Sequence, residues 1–233
     1  MNQFLRAANL VWDEVRSAAG FALSWQRTRW LKTFLCLTIA LGVVTLFLPL
    51  DDDLPLGNTR ARWAVWLSFL GDFVQFNVVL FVALAGYGLK KPSTAWLRIA
   101  VASLLCAVCS GAVANVTRMA TGRPRPFLGR EDGLYGLRLD ADMQSLPSAH
   151  AATAFGGALP VLWLRPITGL PLAAFATGVA AARLELRRHH LTDVLVSLVI
   201  AGFFTLPLTA WVRAWVPPQE SSEAQNLAPP DVS

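Results

Sequence analysis

Six apolar stretches divide this chain, at approximately 31–50, 63–89, 95–117, 149–164, 167–182 and 193–216. Each is near the roughly 20 residues that a helix needs to cross a hydrocarbon core of about 30 Å. Backbone groups in lipid must satisfy one another, so the pattern predicts an all-α integral membrane bundle of six transmembrane helices. The fourth and fifth stretches are short, with a turn at Arg165 and Pro166 between them. Composition agrees: 55% of the residues are hydrophobic, 15% are charged and the mean hydropathy is +0.47, outside the range of ordinary soluble domains. Nine Trp and thirteen Phe against two Tyr suit a chain that sets rings at lipid interfaces.

Residues 1–30 carry Phe4, Ala8, Val11, Val15, Ala18 and Ala22 at helical spacing, with Arg6, Asp13 and Arg16 around the other side. This predicts an interfacial amphipathic helix ahead of the six-helix body at 31–216. Residues 217–233, rich in Pro, Ser, Gln and Glu, are expected to form a disordered tail. No short apolar core with a small-residue cleavage site opens the chain, so the first spanning helix is expected to direct insertion. Cys36, Cys106 and Cys109 all fall inside apolar runs, which points to packing rather than disulfide, redox or zinc roles. The net charge of +5 is spread between apolar segments, with no soluble basic domain to hold nucleic acid. The expected partners are the bilayer and an anionic lipid.

With six crossings, parity puts the loops at 118–148 and 183–192 on one face of the membrane. Arg6, Arg16, Arg27, Arg29 and Lys32, with Lys90 and Lys91, favour a cytoplasmic N-terminus. The opposite face carries Arg118, Arg123, Arg125, Arg130, Arg138, Arg183, Arg187 and Arg188, which contradicts a plain count unless several of them bind phosphate. On that reading both loops face the periplasm or exterior, and the chain sits in a bacterial cytoplasmic (inner) membrane.

Three segments of those loops carry chemistry. Arg118 to Arg125-Pro126 sets guanidinium forks, suited to phosphate oxygens, beside helix-breaking prolines. The bland alternative is a set of headgroup anchors. Pro147-Ser148-Ala149-His150 places a hydroxyl, backbone amides and an imidazole at a helix N-terminus, where an anion is favoured. Ser148 could equally be a plain N-cap, which leaves His150 unexplained. In the third segment, from Arg183 to Asp193, His189 and Asp193 lie four residues apart. If helical, they share a face, so a carboxylate can hold Nδ1–H and leave Nε2 as a nucleophile. A capping Asp beside interfacial histidines is the competing reading. Zinc held by His150, His189, His190 and Asp193 is a further competitor, but the crowded arginines favour an oxyanion over a divalent cation, so no metal or other cofactor is expected.

Together these blocks resemble the type 2 phosphatidic acid phosphatase superfamily, which includes bacterial lipid phosphatases and the vanadium haloperoxidases. Its signature is KxxxxxxRP, PSGH and SRxxxxxHxxxD. Here the blocks read Arg118 through Arg125-Pro126, Pro147-Ser148-Ala149-His150, and Ala182-Arg183 through His189 to Asp193. The resemblance implies that His189 attacks phosphorus, Asp193 orients it, and His150 protonates the leaving oxygen. It further implies that Arg118, Arg125, Arg183, Ser148 and the Ala149 amide hold the phosphoryl oxygens, and that water then hydrolyses a phosphohistidine. Three departures stand out: Arg118 replaces Lys, Ala149 replaces Gly, and Ala182 replaces Ser at the cost of one hydroxyl. None removes the nucleophile or the acid.

The expected activity is metal-independent hydrolysis of a lipid phosphate or diphosphate: lipid A 1-phosphate, undecaprenyl diphosphate, phosphatidylglycerol phosphate or phosphatidic acid. Arg123, Arg130, Arg138, Arg187 and Arg188, beyond the motif, hint at a highly anionic headgroup. One alternative is a phosphotransferase that passes the group to a lipid acceptor. Another is a non-catalytic lipid transporter or binding protein, for which Asp72, Gln75 and Asn77 in the second stretch could be cited.

Overall fold

The computed structural model describes residues 2–25, 27–53, 57–91 and 93–214, so the tail expected at 217–233 lies outside the described residues. Its elements are α1 (Asn2–Ser24), α2 (Arg27–Thr45), α3 (Leu50–Asp53), α4 (Arg62–Leu70), a π-helical turn (Phe73–Val78), α5 (Val79–Lys90), α6 (Thr94–Thr121), α7 (Ala149–Leu164), α8 (Pro166–Glu185) and α9 (Leu191–Ala214), with two short 3₁₀ turns at Pro126–Leu128 and Ala141–Met143. Among the described residues no strand occurs. The protein is all-helical and multi-pass: five segments, Thr28–Thr45, Phe73–Lys90, Thr94–Leu128, Pro166–Glu185 and Leu191–Ala214, are long and apolar enough to cross a membrane.

Two expected boundaries shift. The stretch at 63–89 is not one helix but α4 followed by a break at Gly71 and Asp72, where Asp72 Oδ1 accepts the Phe73 N–H at 2.8 Å and starts a new helical segment. At the other end, α1 stops at Ser24 and the next helix begins at Arg27 rather than 31.

The fourth stretch, α7, has 16 residues and spans about 24 Å, short of the usual crossing. It is the innermost helix, packed by α6, α8 and α9 with Ala151 through Ala158 buried, so protein rather than lipid surrounds most of it. Small residues make that packing close. A Cβ on Gly156 would fall 2.7 Å from Ala107 Cα, so only glycine lets α7 approach α6 this tightly. Outward-facing Leu31, Leu35, Ile39 and Val43 give α2 an apolar outer stripe.

Helix α1 packs on α6 and α9 through Val11, Val15, Ala18 and Phe21. Glu14 pairs with Arg98 at 2.8 Å, and Trp211 Nε1–H donates to Ser17 Oγ at 3.1 Å. Gly122, at φ 59°, caps α6 in the left-handed region and turns the chain into the 123–148 loop.

Candidate active site

The 123–148 loop folds under the 186–190 connection, the contact that parity anticipated. Phe127 N–H donates to Arg187 O at 3.2 Å, and Ser145 Oγ donates to Asp193 at 2.5 Å. The connection after α2 joins them: Asp51 Oδ1 accepts the Thr192 N–H at 3.0 Å, and Glu185 accepts the Asn58 N–H at 3.1 Å.

A cavity of about 760 Å³ is lined by Arg125, Arg183, Arg188, His150, Asp72, Ser68 and apolar residues including Val65, Phe69 and Leu186. Arg118 also acts electrostatically on both Arg125 and His150. Arg183 Nη1 donates to Ser68 Oγ at 2.7 Å. The Nε–H groups of Arg118, Arg125 and Arg183 are buried and have no partner among the described residues. Three desolvated, unpaired donors on fixed cations are unfavourable unless an anion accepts from them.

His189 is 3% exposed and lines a second cavity, of about 300 Å³, with Asp51, Glu185 and Arg187. Arg125 and Arg183, which line the first cavity, are also the guanidinium groups that act on its imidazole. Burial pushes His189 down to about 4, Arg183 and Arg125 push the same way and Asp193 opposes them, so the ring is neutral at pH 7.

The tautomer has a different origin from the one expected. His189 Nδ1 lies 2.7 Å from the Ser145 carbonyl oxygen and 3.7 Å from Asp193 Oδ2. A carbonyl can only accept, so Nδ1 carries the proton and the Nε2 lone pair is free. Asp193 faces the same nitrogen from that longer distance and also supports it indirectly, by accepting from Ser145 Oγ and from the His190 N–H at 2.8 Å.

Ser148 adopts the N-cap role: its Oγ accepts the Ala151 N–H at 3.4 Å, and its own carbonyl accepts from Ser197 Oγ at 2.9 Å. Ala149 follows as the first residue of α7, with His150 one position further. Ala182 is fully buried against Ala61, Ala64 and Leu186 and does not line the larger cavity.

Sequence reasoning missed the group that ties this region together. Arg123, grouped with the headgroup-binding arginines, is 3% exposed and already engaged. Its Nη1 donates to Asp193 at 2.6 Å and Thr192 at 2.8 Å, and its Nη2 donates to Asp51 at 2.9 Å and to Asp132. That guanidinium holds the Asp132 carboxyl below the usual carboxylate range. Asp51, Asp132 and His190 converge to within 4.8 Å, a possible metal set, but Arg123 sits between the two carboxylates as their cation. The expected competitor set of His150, His189, His190 and Asp193 forms no such group among the described residues. The signal for Arg123 was weak: only Asp132 is near it in sequence.

A model of the PAP2 superfamily matches residues 96–217, which contain every residue of the three motifs. The chain is 30% identical over 199 residues to a lipid A 1-phosphatase of Rhizobium etli, covering 77% of this chain and 84% of that one. It is 29% identical over 220 residues to a lipid A 1-phosphatase of Rhizobium johnstonii, covering 85% of each. No solved structure matches significantly. The chain belongs to the PAP2 superfamily. It is a phosphatase, a phosphoric monoester hydrolase.

Proposed function

We propose that this protein is a lipid phosphatase working through a phosphohistidine, with lipid A 1-phosphate as its substrate. The observation that carries this reading is the set of unpaired, buried Nε–H donors on Arg118, Arg125 and Arg183, of which Arg125 and Arg183 line the cavity that holds His150 and Arg118 acts on that imidazole. In the first step the Nε2 lone pair of His189 forms the N–P bond while the P–O bond to the lipid breaks and His150 gives its proton to the departing oxygen. In the second, water attacks phosphorus, His150 takes its proton, and the P–N bond breaks to release inorganic phosphate and restore neutral His189.

Fixed guanidinium groups stabilise the charge spread over the equatorial oxygens, and a positioned acid typically adds about 10²- to 10⁴-fold. Asp193 and Ser145 hold the nucleophile's tautomer, while Ser148 and the Ala149 amide sit at the α7 N-terminus beside the phosphoryl group. The acyl chains lie toward Val65 and Phe69, whose exposed side chains continue the cavity wall. Lipid A is favoured over the other candidate lipids because the two relatives above carry that name.

The architecture within this reading is a six-span body at 31–216, with α7 as the short inner crossing and α1 as an interfacial helix. Arg29, Lys32 and Arg213 line a groove with Trp25 and Trp163. This cluster, built from the start of α2 and the end of α9, favours that end as cytoplasmic and the active site as periplasmic, in a bacterial inner membrane. The test is phosphate release by detergent-purified protein from lipid A 1-phosphate, undecaprenyl diphosphate, phosphatidylglycerol phosphate and phosphatidic acid, in excess EDTA and beside His189→Ala. Metal-independent release from lipid A, lost in the variant, supports the reading, and turnover confined to another lipid overturns the substrate assignment.

A further inference from the structure

The break between α4 and the π-helical turn sets a carboxylate in a cavity of cations. Asp72 Oδ1 accepts the Phe73 N–H at 2.8 Å, which fixes the direction of the carboxylate, and lies 3.9 Å from His150 Nε2. The charged and titratable groups facing His150 come from every side: Arg118 at the end of α6, Arg183 on α8, and His189 between α8 and α9. Arg125 and Arg188 share its cavity. Among the described residues lining that cavity, Asp72 is the single carboxylate.

An anion here repels a phosphate substrate, so its placement weakens binding. The other group it faces is the His150 imidazole. A general acid must carry its proton as the leaving group departs; burial disfavours that proton first, the guanidinium groups repel it as well, and a carboxylate within about 4 Å is the group that attracts it.

We propose that Asp72 is the positioning residue of the general acid, favouring the proton on His150 against the burial and the guanidinium charges that oppose it, and aiming the imidazole at the leaving-group oxygen. The inference rests on the reading of His150 as the acid in the phosphatase reaction. As the P–O bond breaks, its electron pair stays on the lipid oxygen and His150 transfers a proton there, so a neutral alcohol departs. The proton passes from His150 to the lipid oxygen alone, and Asp72 takes no part in the transfer.

The test is Asp72→Asn in the full-length, detergent-purified protein. Asparagine keeps the shape and an oxygen for the Phe73 N–H, so the cap survives. Turnover is compared for a lipid phosphate monoester that the parent hydrolyses and for p-nitrophenyl phosphate, whose phenolate departs without a proton. The expected result is a loss in kcat of about tenfold for the lipid, the equivalent of one pKa unit, and little change for the aryl ester. The alkaline limb of the lipid kcat profile moves about one pH unit lower, and Asp72→Glu restores part of the rate. Equal losses for both substrates with an unmoved limb, or an undiminished lipid kcat, overturn the proposal. His189→Ala separates this claim from the phosphohistidine reading. That reading fails if the control stays active, whereas the Asp72 claim is decided by the ratio of the two losses in Asp72→Asn.

Discussion

Replacing Arg123 by Met tests whether the site is held by a buried ion network. The guanidinium bridges Asp193, which is fully buried, Asp51, whose side chain is 2% exposed, and Asp132. Methionine fills much of the same volume but leaves two desolvated carboxylates without their cation. Breaking a buried pair by removing one partner costs about 3–5 kcal/mol, because the remaining charge stays unpaired. For a chain of this size that corresponds to a fall in Tm of roughly 6–20 °C. Intrinsic tryptophan fluorescence during heating in detergent reads it, with Arg130→Met, an exposed site, as the control expected to shift by less than about 0.5 kcal/mol. Arg123→Lys keeps the charge but cannot fork to three carboxylates, so it falls between the parent and Arg123→Met. An Arg123→Met protein as stable as the Arg130 control, with undiminished phosphate release, refutes the network.

Histidine NMR tests the environment of His189: with the folded value at about 4, its ring stays neutral down to about pH 5, and titration near 6.5 contradicts the burial described here. Because the folded value lies below the unfolded one, stability from this group is complete above about pH 6.5 and falls as pH drops toward 4, which denaturant melts across that window will show. Gly156→Val drives a branched side chain into the Ala107 backbone, and a loss of at least about 1–3 kcal/mol in the same thermal assay is expected. Ala182→Ser restores the family's hydroxyl but buries it against α4, so phosphate release does not rise; a clear gain in turnover contradicts that placement.

Much of the candidate site could be proposed from the sequence because the chemistry it suggests depends on residue type and local spacing. Arg118, Arg125, His150, Arg183, His189 and Asp193 needed no contact information to be singled out, and helix parity brought their loops to one face. What escaped depended on partners far along the chain. Arg123 reads like its arginine neighbours until Asp51 and Asp193, 72 and 70 residues away, are seen to surround it. The Ser145 carbonyl could not be anticipated as the acceptor for His189, since backbone oxygens leave no sequence signal. In the second apolar stretch, hydropathy averaged across Gly71 and Asp72 and concealed the break that puts Asp72 beside His150. A glycine followed by a capping residue was present there, but the surrounding apolar residues outweighed it.

The phosphohistidine is trapped by mixing the enzyme with phosphate-labelled lipid, quenching in alkali within the first turnover and mapping the labelled peptide by mass spectrometry. A phosphohistidine intermediate predicts an acid-labile, alkali-stable phosphate on the peptide containing His189, absent from His189→Ala. Full phosphate release by His189→Ala, or a phosphoryl group on another residue, contradicts it.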